Sequence, residues 1–278
     1  MIQLVGIDVD GTLLGSSGSV HPEVWDATRR ARASGIHLAL CSGRPAFGLA
    51  LEYARGLDAE GWHVFQNGAS IVDVATGKSR SVPLPVAVVR DFIARARSTG
   101  DLLELYTDTE FANESDSPLA REHARLLGVP FQVRPFESLG GTVVRAQWLL
   151  SHEEGRRMAM VAHPHLEIAL STSPLMTETT FVGITSAGVS KGSAMRTVAE
   201  EYGIDLSDVM YVGDAENDLS ALQLVGHPVA MANAAAAVLK VAKHTVDHVD
   251  AGGLAQALEL ALASTASSGS SNTSSNGR

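Results

Sequence analysis

The sequence predicts an α/β fold, a doubly wound parallel sheet split by an inserted α+β unit. Three observations carry this expectation. Short apolar runs alternate with helix-period segments at both ends of the chain; several of those runs stop on loops rich in Asp, Ser and Gly; and the middle stretch, opened by Pro83 and Pro85, has its strand candidates in pairs. Strand–helix alternation implies parallel strands covered on both faces, whereas paired strands between helices imply an antiparallel sheet.

Leu4–Val9 is a short apolar run ending on a carboxylate. His21–Ala33 has helical spacing, with Pro22 suited to a first turn and Gly35 closing it. Ile36–Cys41 is again a buried-type strand, followed by the loop Ser42-Gly43-Arg44-Pro45 and a second helix. Val64–Phe65 leads into Asn67-Gly68, a strong turn signal, with Ile71–Val74 as the return strand of a hairpin. The rhythm resumes with a helix over Ser190–Tyr202, a strand over Val209–Val212 and a helix over Asn217–Leu224. A strand at Val229–Met231, a helix at Ala234–Leu239, a short strand at Thr245–Val246 and a helix over Gly252–Ala263 complete it. Within the middle, Leu102–Tyr106, Val143–Leu150, Leu166–Leu170 and Phe181–Ile184 are the strand candidates. The expected organisation is therefore a core from residues 1–82 plus 189–263, an insert over 83–188, and a disordered tail over 264–278. The tail, STASSGSSNTSSNGR, has too little apolar surface to offset its backbone entropy.

The chain has 278 residues, 45% of them hydrophobic and 19% charged, with a formal net charge of −10. That length supports one large domain or two modest ones, and that hydrophobic fraction excludes a wholly disordered protein. An acidic balance with no basic block argues against a nucleic-acid partner, whose phosphates demand clustered Lys and Arg. The single cysteine, Cys41, excludes an intramolecular disulfide framework and fits a reducing compartment. No run approaches the roughly 18 apolar residues of a membrane helix. The N-terminal segment MIQLVGIDVDGTLL lacks a basic region and is interrupted by Asp8 and Asp10, so it does not read as a signal peptide. A soluble, cytoplasmic protein with no membrane partner is expected; no sequence feature specifies its oligomeric state.

Four loops carry the chemistry. Asp8-Val9-Asp10-Gly11-Thr12-Leu13 sits where the first strand ends, and ligands of open parallel sheets bind outside the carboxyl ends of strands. Alternation sends Asp8 and Asp10 the same way, and like charges this close need a cation or a shared proton. Gly11 permits a sharp turn. Alone, the motif reads equally well as an ordinary acidic loop after a strand. Ser42 and Gly43 offer a hydroxyl and an amide at the same edge, though a lone SGR is also an ordinary turn. Gly213-Asp214-Ala215-Glu216-Asn217-Asp218 follows a strand and opens a helix; a helix cap with acids in its first turn explains Asp214 or Asp218 but not the full set. Lys191 is one of only four lysines beside 17 arginines. A lysine at a helix start, against the dipole, suggests that a compact point charge is required there, although a solvated helix-end lysine is the plainer alternative.

Taken in order, DVDGTL, SGR, Lys191-Gly192 and GDAEND resemble the four motifs of the haloacid dehalogenase superfamily of phosphotransferases, across roughly residues 2–80 and 189–260. Asn67-Gly68-Ala69, Met231-Ala232-Asn233-Ala234 and the long insert look like its Cof-like branch, which carries an α+β cap between the second and third motifs. The resemblance implies a Rossmann-like core and a phosphoric monoester hydrolase that acts on a small phosphorylated metabolite, such as a sugar phosphate. It implies that Asp8 is the nucleophile, forming an aspartyl-phosphate, and that Asp10 protonates the leaving alcohol and then activates water. Mg²⁺ would be held by Asp8, the backbone carbonyl of Asp10, and Asp214. Ser42, Gly43, Lys191 and Asn217 would bind the phosphate, and Asp218 would orient Lys191 or a metal-bound water. Arg44 is a substrate or structural contact outside the catalytic set.

Two other readings share part of this signature. A phosphomutase of the phosphomannomutase type has similar motifs, but it places an extended Gly-rich loop where GDAEND is compact. A response-regulator receiver also surrounds a phosphorylated aspartate with acids, Mg²⁺, a hydroxyl and a lysine, but is roughly half this length. The insert loops near Asp108–Ser117 and Ser173–Thr180 are the expected selectivity elements. His163, His165, His244 and His248 read as surface or cap residues, and Cys41 as a buried, inert thiol.

Overall fold

A computed structural model of the chain describes residues 1–161, 163–173 and 175–269. The chain opens with β1 (Leu4–Asp8), α1 (Pro22–Ala33), β2 (His37–Cys41), α2 (Leu49–Asp58), β3 (Trp62–Phe65) and β4 (Ser70–Asp73). Its middle gives α3 (Val86–Thr99), β5 (Leu102–Tyr106), β6 (Phe111–Ala112), α4 (Pro118–Leu127), β7 (Arg145–Leu150), α5 (His152–Ala159), β8 (Leu166–Ser173) and β9 (Met176–Ser186). It closes with α6 (Lys191–Tyr202), β10 (Val209–Gly213), α7 (Leu219–Leu222), β11 (His227–Met231), α8 (Ala236–Val241), β12 (His244–Val246) and α9 (Gly253–Gly269).

The first and last groups build one seven-stranded sheet in the order β12-β11-β10-β1-β2-β3-β4, parallel except for the β3–β4 hairpin. β1 lies at its centre with all five residues buried, as a strand covered on both faces must be. Register brings Asp8 opposite Cys41 and Ile7 opposite Val212, so the loops after β1, β2 and β10 leave the sheet at one edge. α1, α2 and α9 cover one face, with Val24, Ala54 and Leu258 packed on Val5, Ile7 and Leu38. α6 covers the other, where Met195 and Val198 pack on Leu4, Ala39 and Tyr211. The hairpin turn falls at the expected Asn67-Gly68, with both Gln66 and Asn67 in the left-handed region at φ 54° and 55°.

The middle group forms a separate five-stranded antiparallel sheet, β6-β5-β7-β9-β8. The backbone changes sheets over two residues: the Val82 amide pairs with Ala69, and the Leu84 amide with Val143. Alternation along the strands gives this sheet two unlike faces. Leu103, Leu105, Ala146, Trp148 and Ile184 build an apolar core with α3 and α5. Glu104, Tyr106, Arg145 and Gln147 lie on the opposite face, where Leu102, Leu149 and Phe181 pack against α4.

Several elements differ from the sequence expectation. β9 runs eleven residues rather than four, because β8 pairs with it from Met176 to Ser186 while β7 covers Thr180–Ile184. The helix expected over Asn217–Leu224 is a 3-10 turn, Glu216–Asp218, followed by the four-residue α7. The Asp218 carboxylate accepts the amides of Asp214 and Ala215 at 3.1 and 3.0 Å, which tightens that first turn. α9 continues past 263 to Gly269, so residues 264–269 of the expected tail are helical; Ser264 and Thr265 hydroxyls donate to the carbonyls three residues back, and the Ile2 amide donates to Ser264. The rest of that tail, 270–278, lies outside the described residues.

His63 on β3 is fully buried; its Nδ1 accepts the Leu40 amide at 3.0 Å and its Nε2 meets the Asp58 carbonyl at 2.8 Å. Burial lowers its pKa to about 4. The unfolded imidazole titrates near 6.5, so between about 4 and 6.5 the unfolded chain binds more protons and stability rises with pH. Acidification through that window is expected to remove about 3 kcal/mol. Urea denaturation from pH 4 to 7 checks this: His63→Gln flattens the slope over that window, and an unchanged slope refutes the assignment.

Candidate active site

The four loops singled out in the sequence converge at the carboxyl edge of the large sheet. Asp8 closes β1 and is 5% exposed. Lys191, the first residue of α6, is 1% exposed, so the solvated alternative does not hold. Its Nζ donates to Asp8 Oδ1 at 2.5 Å and to Asp218 Oδ1 at 2.7 Å. Ser190 caps α6 by accepting the Ser193 amide, which fixes where the lysine emerges. Burial works against the ammonium, but the two carboxylates outweigh it and raise its pKa above the ordinary lysine value.

Asp218 is fully committed to positioning. Besides Lys191, its Oδ1 accepts the Tyr211 hydroxyl at 2.7 Å, and its Oδ2 accepts two backbone amides. Asp214 accepts the Thr12 hydroxyl at 3.3 Å and the Asn233 amide at 3.4 Å. Gly11 makes room for it: at φ +92°, a Cβ there would collide with the Asp214 carboxylate. Burial, then the Asp218 charge, pushes Asp214 up to about 6, and the same two causes raise Asp8 well above the usual carboxylate range. Carboxylate oxygens of Asp8, Asp214 and Asp218 come within 4.8 Å of one another, the one such cluster of metal-binding side chains among the described residues. An all-oxygen set of this kind, crowded with negative charge, fits a hard divalent cation.

Asp10 behaves differently from Asp8. Its carboxylate faces the same cavity but is held by Arg44, whose Nε and Nη2 donate at 3.1 and 2.5 Å. Ser42 is 1% exposed, and its hydroxyl accepts the Arg44 amide at 3.0 Å. Gly43 lies on the cavity wall. Asn217 does too, donating to Asn67 Oδ1 at 3.1 Å. Sequence reasoning missed the supporting groups Tyr211 and Thr12; Arg44, expected as a substrate or structural contact, is the partner of Asp10. Asn233, noted only within a motif, donates to the Gly11 carbonyl at 2.8 Å and accepts the Val249 amide at 3.0 Å, tying two loops together.

A cavity of about 560 Å³ lies between the two sheets, with Asp8 and Asp10 on one wall. From the insert, it is lined by the sheet face bearing Tyr106, Arg145 and Gln147, by His123 of α4, and by Ser171–Ser173. The loop Asp108–Ser117, expected to face substrate, does not line it. Asp108 instead accepts the Ser70 and Ser81 hydroxyls at 2.5 and 2.6 Å, fastening the insert to the hairpin. Of Ser173–Thr180, Ser173 alone among the described residues reaches the cavity. Cys41 is buried against Met195, and burial pushes its thiol up. No helix among the described residues is long and apolar enough to cross a membrane.

A family model of haloacid dehalogenase-like hydrolases matches residues 5–258. Two curated relatives carry provisional phosphatase names. One, from Streptococcus pyogenes serotype M6, is 28% identical over 274 residues, covering 92% of this chain and 97% of its own. The other, YxeH of Bacillus subtilis strain 168, is 28% identical over 275 residues, covering 95% and 100%. A hypothetical protein from Geobacillus kaustophilus HTA426 superposes with a TM-score of 0.79 at 26% identity, covering 94% of this chain and 98% of its own.

Proposed function

We infer the reaction from one premise: the chain belongs to the haloacid dehalogenase-like hydrolase family, in its Cof-like branch. It is a phosphatase, and the reading that fits the site best is Mg²⁺-dependent hydrolysis of small phosphate monoesters through an aspartyl-phosphate on Asp8. The observation that carries this is the Lys191 bridge between Asp8 and Asp218 at the sheet edge, with Asp214 beside it.

Asp8 Oδ attacks phosphorus in line, the bond to the leaving oxygen breaks, and Asp10 supplies the proton that the leaving alkoxide needs. That step requires Asp10 to take up a proton as its carboxyl turns from Arg44 toward the leaving oxygen. Asp10 then takes a proton from the water that cleaves the acyl-phosphate. Lys191, the Ser42 hydroxyl, the Gly43 amide and Asn217 bind the non-bridging oxygens, where charge must be stabilised in a loose transition state. Asp218 positions Lys191. Asp8, the Asp10 carbonyl and Asp214 would hold Mg²⁺, which supplies charge neutralisation and polarises the phosphoryl group. The core over 1–82 plus 189–263 serves the chemistry, and the insert over 83–188 closes the cavity against water.

The test is phosphate release from p-nitrophenyl phosphate. Turnover is expected with Mg²⁺ and no bisphosphate activator, to fall to background in EDTA, and to return on adding Mg²⁺. Turnover unaffected by chelation removes the metal from the reading. Transfer to a second substrate hydroxyl without free phosphate would instead mark a mutase.

A further inference from the structure

The insert turns a polar patch toward Asp8 that the phosphatase chemistry does not use. Glu104 pairs with Gln147 and Tyr106 with Arg145 across β5 and β7, and the alternation puts all four side chains on the cavity side. Glu104 is fully buried and satisfied by three donors: the Tyr106 hydroxyl, His123 Nδ1 at 2.9 Å and Gln147 Nε2 at 3.4 Å. Its charge is therefore spent within the patch.

Arg145 is different. Its guanidinium donates to two neutral acceptors, the Gly43 carbonyl at 2.9 Å and the Gln147 side-chain oxygen, and among the described residues it has no ion-pair partner. The other guanidinium on the cavity wall, Arg44, is occupied by Asp10. Space is kept for Arg145 by Gly183 on the next strand, where a Cβ would stand 3.2 Å from Nη2. Arg145 is half-buried on the cavity wall with no carboxylate in hydrogen-bond reach among the described residues, and a planar five-donor fork is suited to carboxylate or phosphate oxygens. The Gly43 contact puts it against the loop that would hold the scissile phosphate, on a strand of the insert rather than on the large sheet that carries Asp8.

We propose that Arg145, oriented by Gln147, is a specificity-determining residue that selects phosphate monoesters carrying a second anionic group on the leaving group, a carboxylate or a further phosphate. This rests on the phosphatase reading and deepens it. The hydroxyls of Ser171, Thr172 and Ser173 line the same cavity and suit a hydroxylated leaving group between the two anions.

The experiment compares kcat/KM on matched pairs with Mg²⁺: 3-phosphoglycerate against glycerol 3-phosphate, and fructose 1,6-bisphosphate against fructose 6-phosphate. p-Nitrophenyl phosphate is the reference. The wild-type enzyme is expected to prefer the anionic member of at least one pair by about 30-fold, the scale of one charge-assisted hydrogen-bonded contact. Which pair responds tells carboxylate from phosphate. Arg145→Gln is expected to collapse that ratio, mainly through KM, and Arg145→Lys to restore part of it. Gly183→Ala, which crowds the guanidinium without removing it, is expected to lower the ratio as well. A wild-type enzyme with no preference for either anionic member overturns the proposal without needing any variant. So does a loss in Arg145→Gln that is equal on every substrate, p-nitrophenyl phosphate included, because that places Arg145 on the scissile phosphate. No phosphate release from any substrate, the reference included, overturns the phosphatase reading itself, a distinct result.

Discussion

Asp8→Asn is expected to lower kcat for p-nitrophenyl phosphate by at least about 10⁴-fold, since removing a nucleophile leaves only binding and electrostatic assistance. The amide keeps the shape of the carboxylate and an oxygen to accept from Lys191 Nζ, so lost activity does not reflect a lost fold. The stability sign runs the other way from activity. Burial and the Asp218 charge hold the Asp8 carboxyl well above its unfolded range, so the fold binds its proton more tightly than the unfolded chain does. Stability therefore falls as pH rises from the unfolded value toward the folded one, and an ionised Asp8 is a cost at neutral pH. In EDTA, thermal unfolding of Asp8→Asn is expected at the wild-type Tm or above it. Retained turnover removes Asp8 from the mechanism; a lower Tm with lost turnover assigns it a structural role instead.

Lys191→Met is the second large effect, and it strikes both stability and catalysis. Lys191 holds two carboxylates together in a site from which water is almost excluded, with Asp8 and Asp218 both within 2.7 Å of Nζ. Replacing the cation by a thioether of similar length leaves those acids facing each other without a counter-charge. The expected cost is about 3–5 kcal/mol of folding stability, as for other buried pairs broken on one side. Turnover is expected to fall by at least about 10²-fold, the scale of losing one group that stabilises transition-state charge. Equilibrium denaturation and steady-state kinetics read the two losses. Lys191→Arg keeps the charge but not the compact ammonium, and at a fully enclosed site it is expected to remain impaired. A fully active Lys191→Met variant would mean that the bridge serves neither the phosphate nor the nucleophile.

The candidate constellation is legible because most of its members stand at places where local rules speak clearly. A buried strand ending on Asp8, a second ending before Ser42 and a third ending before Asp214 must discharge at one edge once the strands are parallel. Lys191 was conspicuous because this sequence otherwise writes Arg. What surrounds them was less legible. Asp10 and Arg44 are 34 residues apart, and Asp218 finds Tyr211 on the strand just before its turn but Lys191 at a distance of 27 residues. Selectivity was sought in the insert loops, on the general tendency of loops to carry function. Yet Asp108 is used to fasten the insert, and the cavity is floored by strands. The signal was present in LLELY and RAQWLL, whose alternate positions carry Glu104 and Tyr106 in the first and Arg145 and Gln147 in the second, where a sheet with two apolar faces would not. Its meaning depended on knowing which strand lies beside which.

The sequence by itself determined the α/β class, the position of the insert, and the convergence of the loops that carry Asp8, Ser42 and Asp214 on one sheet edge. Period and chain order set these, and they follow from backbone geometry that every residue shares. Only the tertiary structure decided which carboxylates share a cation and which do not. Asp8 and Asp218 close on Lys191, whereas Asp10 turns to Arg44 and Glu104 is consumed by its own network, leaving Arg145 without a carboxylate. Such pairings are fixed by distances of a few ångströms between residues remote in the chain, and electrostatic energy in a dry interior depends on those distances far more than on composition. The net charge of −10 says nothing of this; a protein acidic as a whole still faces its cavity with a guanidinium that donates to no carboxylate among the described residues.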